Sequence, residues 1–204
     1  MIPQFLKKLK RGPQVILPKD AGVIISFSGI CKDSLVLNAG SGSGWLDVQI
    51  GRIAKKVVSY EKREEFAKIA QKNIEKAGLK NVEIRIRDII EQGYDEKEAD
   101  VVILDMANSH LAVPHAISAL KEDGVIVGYV PHTDQLREFV NTCSTLGWAD
   151  TYCIETILRE MLVRPAGVRP ENTGITHTAY LVFAKKGEKK LSKQEAKRAK
   201  KKRA

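Results

Sequence analysis

The chain has 204 residues, of which 43% are hydrophobic and 29% charged, a globular composition long enough for one well-buried α/β core and short for two domains. No apolar run approaches the ~18 residues of a membrane span, and residues 1–11 scatter Ile2, Phe5, Leu6 and Leu9 among lysines, which lacks the apolar block of a secretory signal. The net charge of +9 belongs wholly to residues 185–204, with 11 basic and two acidic residues; residues 1–184 hold 23 of each sign.

In chain order, residues 1–12 read as a short amphipathic arm, 13–184 as one folded domain and 185–204 as a basic tail. The stretch from Lys19 to Phe27 has Ala21, Ile24, Ile25 and Phe27 at helical spacing and stops near Gly29. Ser34–Asn38 is a short apolar strand running into a glycine-rich loop, and Trp45 to about Ala54 is a helix. Val57–Glu61 is a second strand, and Glu64–Ala77 a helix with Phe66, Ile69, Ala70, Ile74 and Ala77 on one stripe, stopped by Gly78. Strands follow at Val82–Ile86, at Val101–Leu104, and from Gly124 through Val130, the last after a helix from about His110 to Leu120. Five strands alternating with helices predict a parallel, doubly wound sheet. A helix from Asp134 to Leu146 turns Leu136, Phe139, Val140 and Cys143 inward. Two strand-like runs, Asp150–Leu158 and Thr178–Ala184, are joined by a loop without an obvious helix, a pattern that suits antiparallel pairing. In the tail, Ser192 and Glu195 form a capping box for a helix with almost no apolar face, which serves either as a solvated extension or as a phosphate-seeking arm.

Cys31, Cys143 and Cys153 lack any metal-ligand or paired spacing and read as reduced, buried thiols. His110 and His115 are five apart and share no helical face, so no metal is implied.

The chemistry concentrates at the ends of the strands. Gly40-Ser-Gly-Ser-Gly44 follows the first strand, where glycine lets the backbone approach a ligand. Glu61 lies 21 residues beyond Gly40 at the end of the next strand, where a carboxylate can accept both ribose hydroxyls. Asp88 and Asp105 fall at the ends of the third and fourth strands, on the same carboxyl edge. A dinucleotide site shares the loop and the ribose acid but prefers G-x-G-x-x-G with a pyrophosphate on the helix N-terminus. Here the spacing is G-x-G-x-G. S-adenosylmethionine has no phosphate, and its sulfonium and ammonium suit a crevice rich in carboxylates. Methyl transfer is therefore favoured over hydride transfer.

The segments Arg11-Gly-Pro-Gln-Val-Ile-Leu-Pro-Lys-Asp-Ala-Gly22, Asn38-Ala-Gly-Ser-Gly-Ser-Gly44, Ser59-Tyr-Glu61, Arg159-Glu-Met-Leu-Val-Arg-Pro-Ala-Gly-Val-Arg-Pro-Glu171 and His177-Thr-Ala-Tyr-Leu181 resemble the archaeal and bacterial tRNA (adenine-N1)-methyltransferases that modify the T-loop adenine. The resemblance implies a class I, Rossmann-like S-adenosylmethionine-dependent methyltransferase with a mostly parallel seven-stranded sheet ending in an antiparallel hairpin. It also implies tRNA as substrate, a homotetramer and a cytoplasmic location. Gln14 would meet the methionine end of the cofactor, and Gly40, Ser41, Gly42, Ser43, Gly44 and Trp45 would surround it. Glu61 would hold the ribose and Asp88 the adenine amino group, with Asp105 as the catalytic acid beside methyl donor and target base.

The sequence departs from the family at four places. Asn38 stands where an acid is common, Leu17 where an aromatic is common, and Asp105-Met-Ala-Asn-Ser-His110 where a run with Pro and Trp is usual. Only about ten residues precede the matching region, where the family has a small tRNA-gripping domain that the basic tail would replace in part. Two alternatives stay open: a diverged, catalytically weak or inactive paralogue that binds cofactor or RNA as a partner subunit, and a methyltransferase for a different substrate. Arg159, Arg164 and Arg169 suit either tRNA phosphates or subunit contacts, and His177 and Tyr180 read as packing or interface residues of the last strand.

Overall fold

The inner parallel strands are apolar on both sides, and the helices between strands supply two covering layers. The computed structural model describes residues 2–12, 14–174 and 177–187. In chain order the elements are α1 (Gln4–Lys7), α2 (Pro18–Ser28), β1 (Leu35–Ala39), α3 (Trp45–Gly51), β2 (Lys56–Glu61), α4 (Glu64–Lys76), β3 (Val82–Ile86), α5 (Ile89–Gln92) and β4 (Ala99–Leu104). They continue with a 3-10 turn (Ser109–Ala112), α6 (Val113–Ala119), β5 (Leu120–Val130), α7 (Thr133–Thr145), β6 (Ala149–Glu155), β7 (Met161–Arg164), β8 (Gly167–Pro170) and β9 (Tyr180–Lys185).

Seven strands form one sheet in the order β3-β2-β1-β4-β5-β9-β6. The first five strands pair in parallel, and β9 lies antiparallel between β5 and β6. Alternation along the strands divides the core. Val36, Val57, Val101 and Ile103 face Ala21, Ile24, Leu46 and Ile50 of α2 and α3. Leu37, Val58, Val102 and Leu104 face Val113, Ala116, Phe139 and Cys143 of α6 and α7. Both faces are thus covered, as a parallel sheet requires.

The elements expected from the sequence are present, with local shifts. The expected helix from His110 divides into the 3-10 turn and α6, and Leu120 already belongs to β5. On α4 the buried stripe is Ala67, Ala70, Asn73 and Ile74, while Phe66 and Ile69 sit at its margin. The stripe rotates because Asn73 is taken inward by hydrogen bonds to the Lys10 and Ser43 carbonyls. The thiol expectation needs correction: Cys143 is buried, but Cys31 and Cys153 are exposed, and all three are free. Phe27 is likewise exposed at the end of α2, where it stacks on Tyr152. The connection between β6 and β9, expected as a loop, contains a two-stranded sheet, β7–β8. The capping box at Ser192 and Glu195 lies outside the described residues. Among the described residues no helix is long and apolar enough to cross a membrane.

Candidate active site

Parallel strands in register end together, so the loops that leave them meet at one edge. Ala39 pairs with Tyr60 and with Leu104, Glu61 with Ile86, and Leu104 with Gly128. The loop after β1, Glu61 of β2, Asp88 after β3, Asp105 after β4 and Tyr129 of β5 consequently line one cavity of about 430 Å³. That volume falls in the range of small-molecule sites.

The loop is fixed from below. The Gly40 and Ser41 amides donate to the Tyr60 carbonyl at 2.8 and 3.1 Å, and the Ser41 and Ser59 hydroxyls are 2.6 Å apart. Gly40 has φ +94°, and a Cβ there would lie 1.9 Å from the Asp105 carbonyl oxygen, so only glycine fits between β1 and β4. Gly42 is different. A Cβ there would meet nothing within 4 Å, because the residue faces the open cavity.

Glu61 is buried and organises the loop. Its Oε2 accepts from the Gly42 amide at 3.0 Å, and its Oε1 accepts from the amide and Nε of Arg63, each at 3.1 Å. Two carboxylate oxygens offer about four acceptor positions, so capacity remains for a hydroxyl from the cavity. Asp88 lines the cavity and also caps α5, its Oδ1 accepting from the Ile90 amide at 2.9 Å. The Lys62 ammonium lies 3.7 Å from the other oxygen.

Of the remaining residues expected at the site, Gln14, Gly40, Gly42 and Asp105 line the cavity, whereas Ser41, Ser43, Gly44 and Trp45 do not. The side chain of Ser41 serves the loop's underside. Ser43 gives its carbonyl to Asn73, and Gly44 lies against Ala70. Trp45 is buried with Leu6, Leu9, Val48 and Ile74, and its Nε1 donates to the Lys10 carbonyl at 3.2 Å. An apolar ring on a fully buried helix face is a packing group first.

Three residues without a distinctive sequence pattern belong to the same region. Asp47, in the first turn of α3, is fully buried beneath the loop, with Oδ1 accepting from Asn38 Nδ2 at 2.8 Å and Oδ2 without a partner among the described residues. Its one signal is a lone carboxylate in the otherwise uncharged run Trp45-Leu-Asp-Val-Gln-Ile50. Tyr129 walls the cavity and is nearly inaccessible. Gln135 of α7 also lines it, with a buried Oε1 lacking a partner among the described residues. Neither Tyr129 nor Gln135 stands out in a local pattern.

The acids crowd one another. Burial, then the charges of Asp47 and Glu61, lifts the Asp105 carboxyl to about 7. Burial likewise lifts Asp47 to about 6, against the lowering effect of hydrogen bonds from Asn38 and Ser59 and with the charge of Glu61 adding to it. Carboxyls that resist ionising together are made for a cation, which would relieve both desolvation and mutual repulsion. They do not suit a pyrophosphate. Among the described residues no group of three or more His, Cys, Asp or Glu could hold a metal ion.

His177, exposed before β9, bonds Glu155 through Nδ1 at 2.6 Å and the Pro131 carbonyl through Nε2 at 2.9 Å, with its ring against Tyr180. Arg159, Arg164 and Arg169 are exposed on and beside the β7–β8 hairpin.

Comparison with known proteins adds an independent line. Residues 5–202 match the family model described as the tRNA methyltransferase complex GCD14 subunit. The chain is 34% identical to the tRNA (adenine(57)-N(1)/adenine(58)-N(1))-methyltransferase TrmI of Methanocaldococcus jannaschii, over 95% of this chain and 79% of that protein. Among solved structures it is similar to an S-adenosylmethionine-dependent O-methyltransferase from Thermotoga maritima, with TM-score 0.86 and 32% identity over 94% of this chain and 74% of that one. It is also similar to the tRNA (m1A58) methyltransferase TrmI from Aquifex aeolicus, with TM-score 0.84 and 26% identity over 91% and 75% of the two chains.

Proposed function

We infer what this chain does from its family, for it belongs to the tRNA methyltransferases described as the GCD14 subunit of the tRNA methyltransferase complex. It is an S-adenosylmethionine-dependent methyltransferase of tRNA that acts on N1 of adenine, and adenine 58, the position named for its relatives, is the target we assign. The observation that carries this reading is the nest of Asp47, Glu61 and Asp105 around an exposed glycine backbone, a cation site without a phosphate cradle.

The residues present fit the cofactor. Glu61 would accept from the ribose hydroxyls, Asp88 from the adenine amino group, and Gln14 would face the methionine end. The backbone at Gly40 and Gly42 leaves room for close approach. When bound, the cofactor supplies an activated methyl group on a sulfonium. The chain's own part is placement and charge. Asp105 accepts a hydrogen bond from the exocyclic amine of the target adenine and stabilises the positive charge that develops on that base as N1 gains its methyl group. Tyr129, Pro131 and Gln135 line the same cavity and help to position the base for the approach. No proton need leave the base, because the positive charge passes from sulfonium to nucleobase.

The description of the Thermotoga maritima protein as an O-methyltransferase favours one other reading, an oxygen acceptor in the same site. Incubation with labelled S-adenosylmethionine and bulk tRNA, followed by nucleoside mass spectrometry, separates the two. N1-methyladenosine is expected. Methyl on a ribose or another oxygen supports the second reading, and no incorporation despite cofactor binding removes tRNA as substrate.

We further propose that the chain assembles as a homo-oligomer through the β7–β8 hairpin and works in the cytoplasm, where tRNA is. The hairpin leaves Met161, Val163 and Val168 exposed beside Ile157 and Leu158, an apolar patch of the kind that monomers seldom carry.

A further inference from the structure

The first acidic residue of the chain is Asp20, and ahead of it Lys7, Lys8, Lys10 and Arg11 crowd into a single short stretch. All four are exposed, and among the described residues none forms an ion pair. A charge run of this kind is ordinarily a loose, solvated arm. Here it is clamped.

Leu6 is 0% and Leu9 7% exposed, both packed against Trp45, Val48 and Ile74 of α3 and α4. The Lys10 amide donates to Asn73 Oδ1 at 2.9 Å, and the Lys10 carbonyl accepts from Asn73 Nδ2 at 2.8 Å and from Trp45 Nε1 at 3.2 Å. Arg11 lies over the Trp45 ring and Arg52 over Phe5, so a fifth cation extends the same surface. Two buried leucines, a reciprocal amide pair and an indole donor thus hold like charges side by side, although their mutual repulsion disfavours the arrangement. The segment also leads somewhere. Gln14, three residues after Arg11, lines the cavity whose rim carries Lys62 and Arg63, and three residues of chain reach no further than about 11 Å.

We propose that Lys7, Lys8, Lys10 and Arg11 form a fixed basic ridge that grips the phosphate backbone of the RNA substrate and directs it to the cavity mouth. The inference rests on the reading of the chain as a tRNA methyltransferase and adds the surface by which the polynucleotide is held. Because the ridge is anchored to α3 and α4 by Leu6 and Leu9, its cations present a set geometry to phosphates and lose little conformational entropy on binding. It reads no base, so its contribution is electrostatic and salt-dependent.

The test uses the full chain with Lys7, Lys8, Lys10 and Arg11 all replaced by Gln, compared with the wild type. Binding of labelled tRNA is followed by fluorescence anisotropy across a salt series, alongside methylation kinetics and calorimetry with S-adenosylmethionine. Expected is a loss of tRNA affinity of about 10-fold or more at moderate salt, with a slope of log affinity against log salt shallower by about three. The KM for tRNA rises with it, while cofactor affinity and kcat at saturating tRNA stay unchanged. The pair Leu6→Ala and Leu9→Ala retains every cation and releases the clamp, and an intermediate loss of affinity is expected. Unchanged affinity and salt slope in the four-fold variant overturn the ridge, as does a loss of binding to phosphatidylglycerol vesicles without any loss for tRNA. Should the wild type bind tRNA through the ridge yet methylate none, the ridge stands and the assigned activity falls.

Discussion

At the scale of single residues, two glycines of one loop have different reasons to be glycine. Gly40 is wedged against the Asp105 carbonyl at φ +94°, whereas Gly42 faces the cavity with nothing near its missing Cβ. Gly40→Ala is expected to cost at least about 2 kcal/mol of stability, through backbone strain and a clash with main chain. Gly42→Ala is expected to cost about 1 kcal/mol and to lose most of the cofactor affinity, because its methyl enters the space the cofactor needs. Denaturant unfolding with calorimetry checks both; equal effects on stability would refute the distinction. The acids carry a second expectation. Burial holds Asp105 at about 7 and Asp47 at about 6, above the ordinary ~3.9 of an unfolded Asp. Between those values the folded chain binds more protons than the unfolded one. The pair's contribution to stability is therefore full below about pH 4 and is lost as pH rises through 6 and 7. A bound cation favours the ionised acids, so cofactor affinity should strengthen from about pH 5.5 to about 8 while the Tm of the free protein falls. Thermal scans with and without saturating S-adenosylmethionine measure this, and parallel slopes in the two series would exclude it.

Among the elements, the strand ends matter more than the strands. Asp88 occupies a boundary: it closes β3's connection, caps the four-residue helix α5, and lines the cavity. Asp88→Ala should remove both roles, lowering Tm by about 2–4 °C for a cap worth about 1 kcal/mol. Asp88→Asn keeps an acceptor for the Ile90 amide and should spare Tm, while both variants lose cofactor affinity. A normal affinity in Asp88→Asn would limit the residue to capping. The same reasoning explains why Trp45 is absent from the cavity wall. It follows the loop directly, but α3 is buried on all sides and α1 covers its outer face, so the ring fixes the arm instead.

For the whole molecule, the β7–β8 hairpin stands between β6 and β9 in the chain and leaves a band of apolar side chains uncovered, with Val163 at 76% exposure. An uncovered apolar band on a chain of this size is most readily buried by another copy. Val163→Asp with Val168→Asp is expected to shift sedimentation to a smaller species without changing the Tm of the core. A wild type that already sediments as one chain would dismiss the oligomer. On the edge strand β6, Tyr152 also stacks on Phe27 in the open.

Local pattern alone determined the alternation of strands and helices, the G-x-G-x-G loop and the acids at strand ends, because periodicity and turn chemistry depend only on neighbours in the chain. It also sufficed for Glu61 and Asp105, whose places are set by where a parallel strand stops. Local pattern could not decide which side chains the tertiary contacts would take inward. Asp47 beneath the loop, Gln135 across the cavity, the burial of Trp45 and the exposure of Cys31 and Cys153 all depend on contacts between segments distant in sequence. The same holds for the basic arm. Its charge is plain in the residues, but only the docking of Leu6 and Leu9 against α3 and α4 turns a flexible run of lysines into a surface of defined shape.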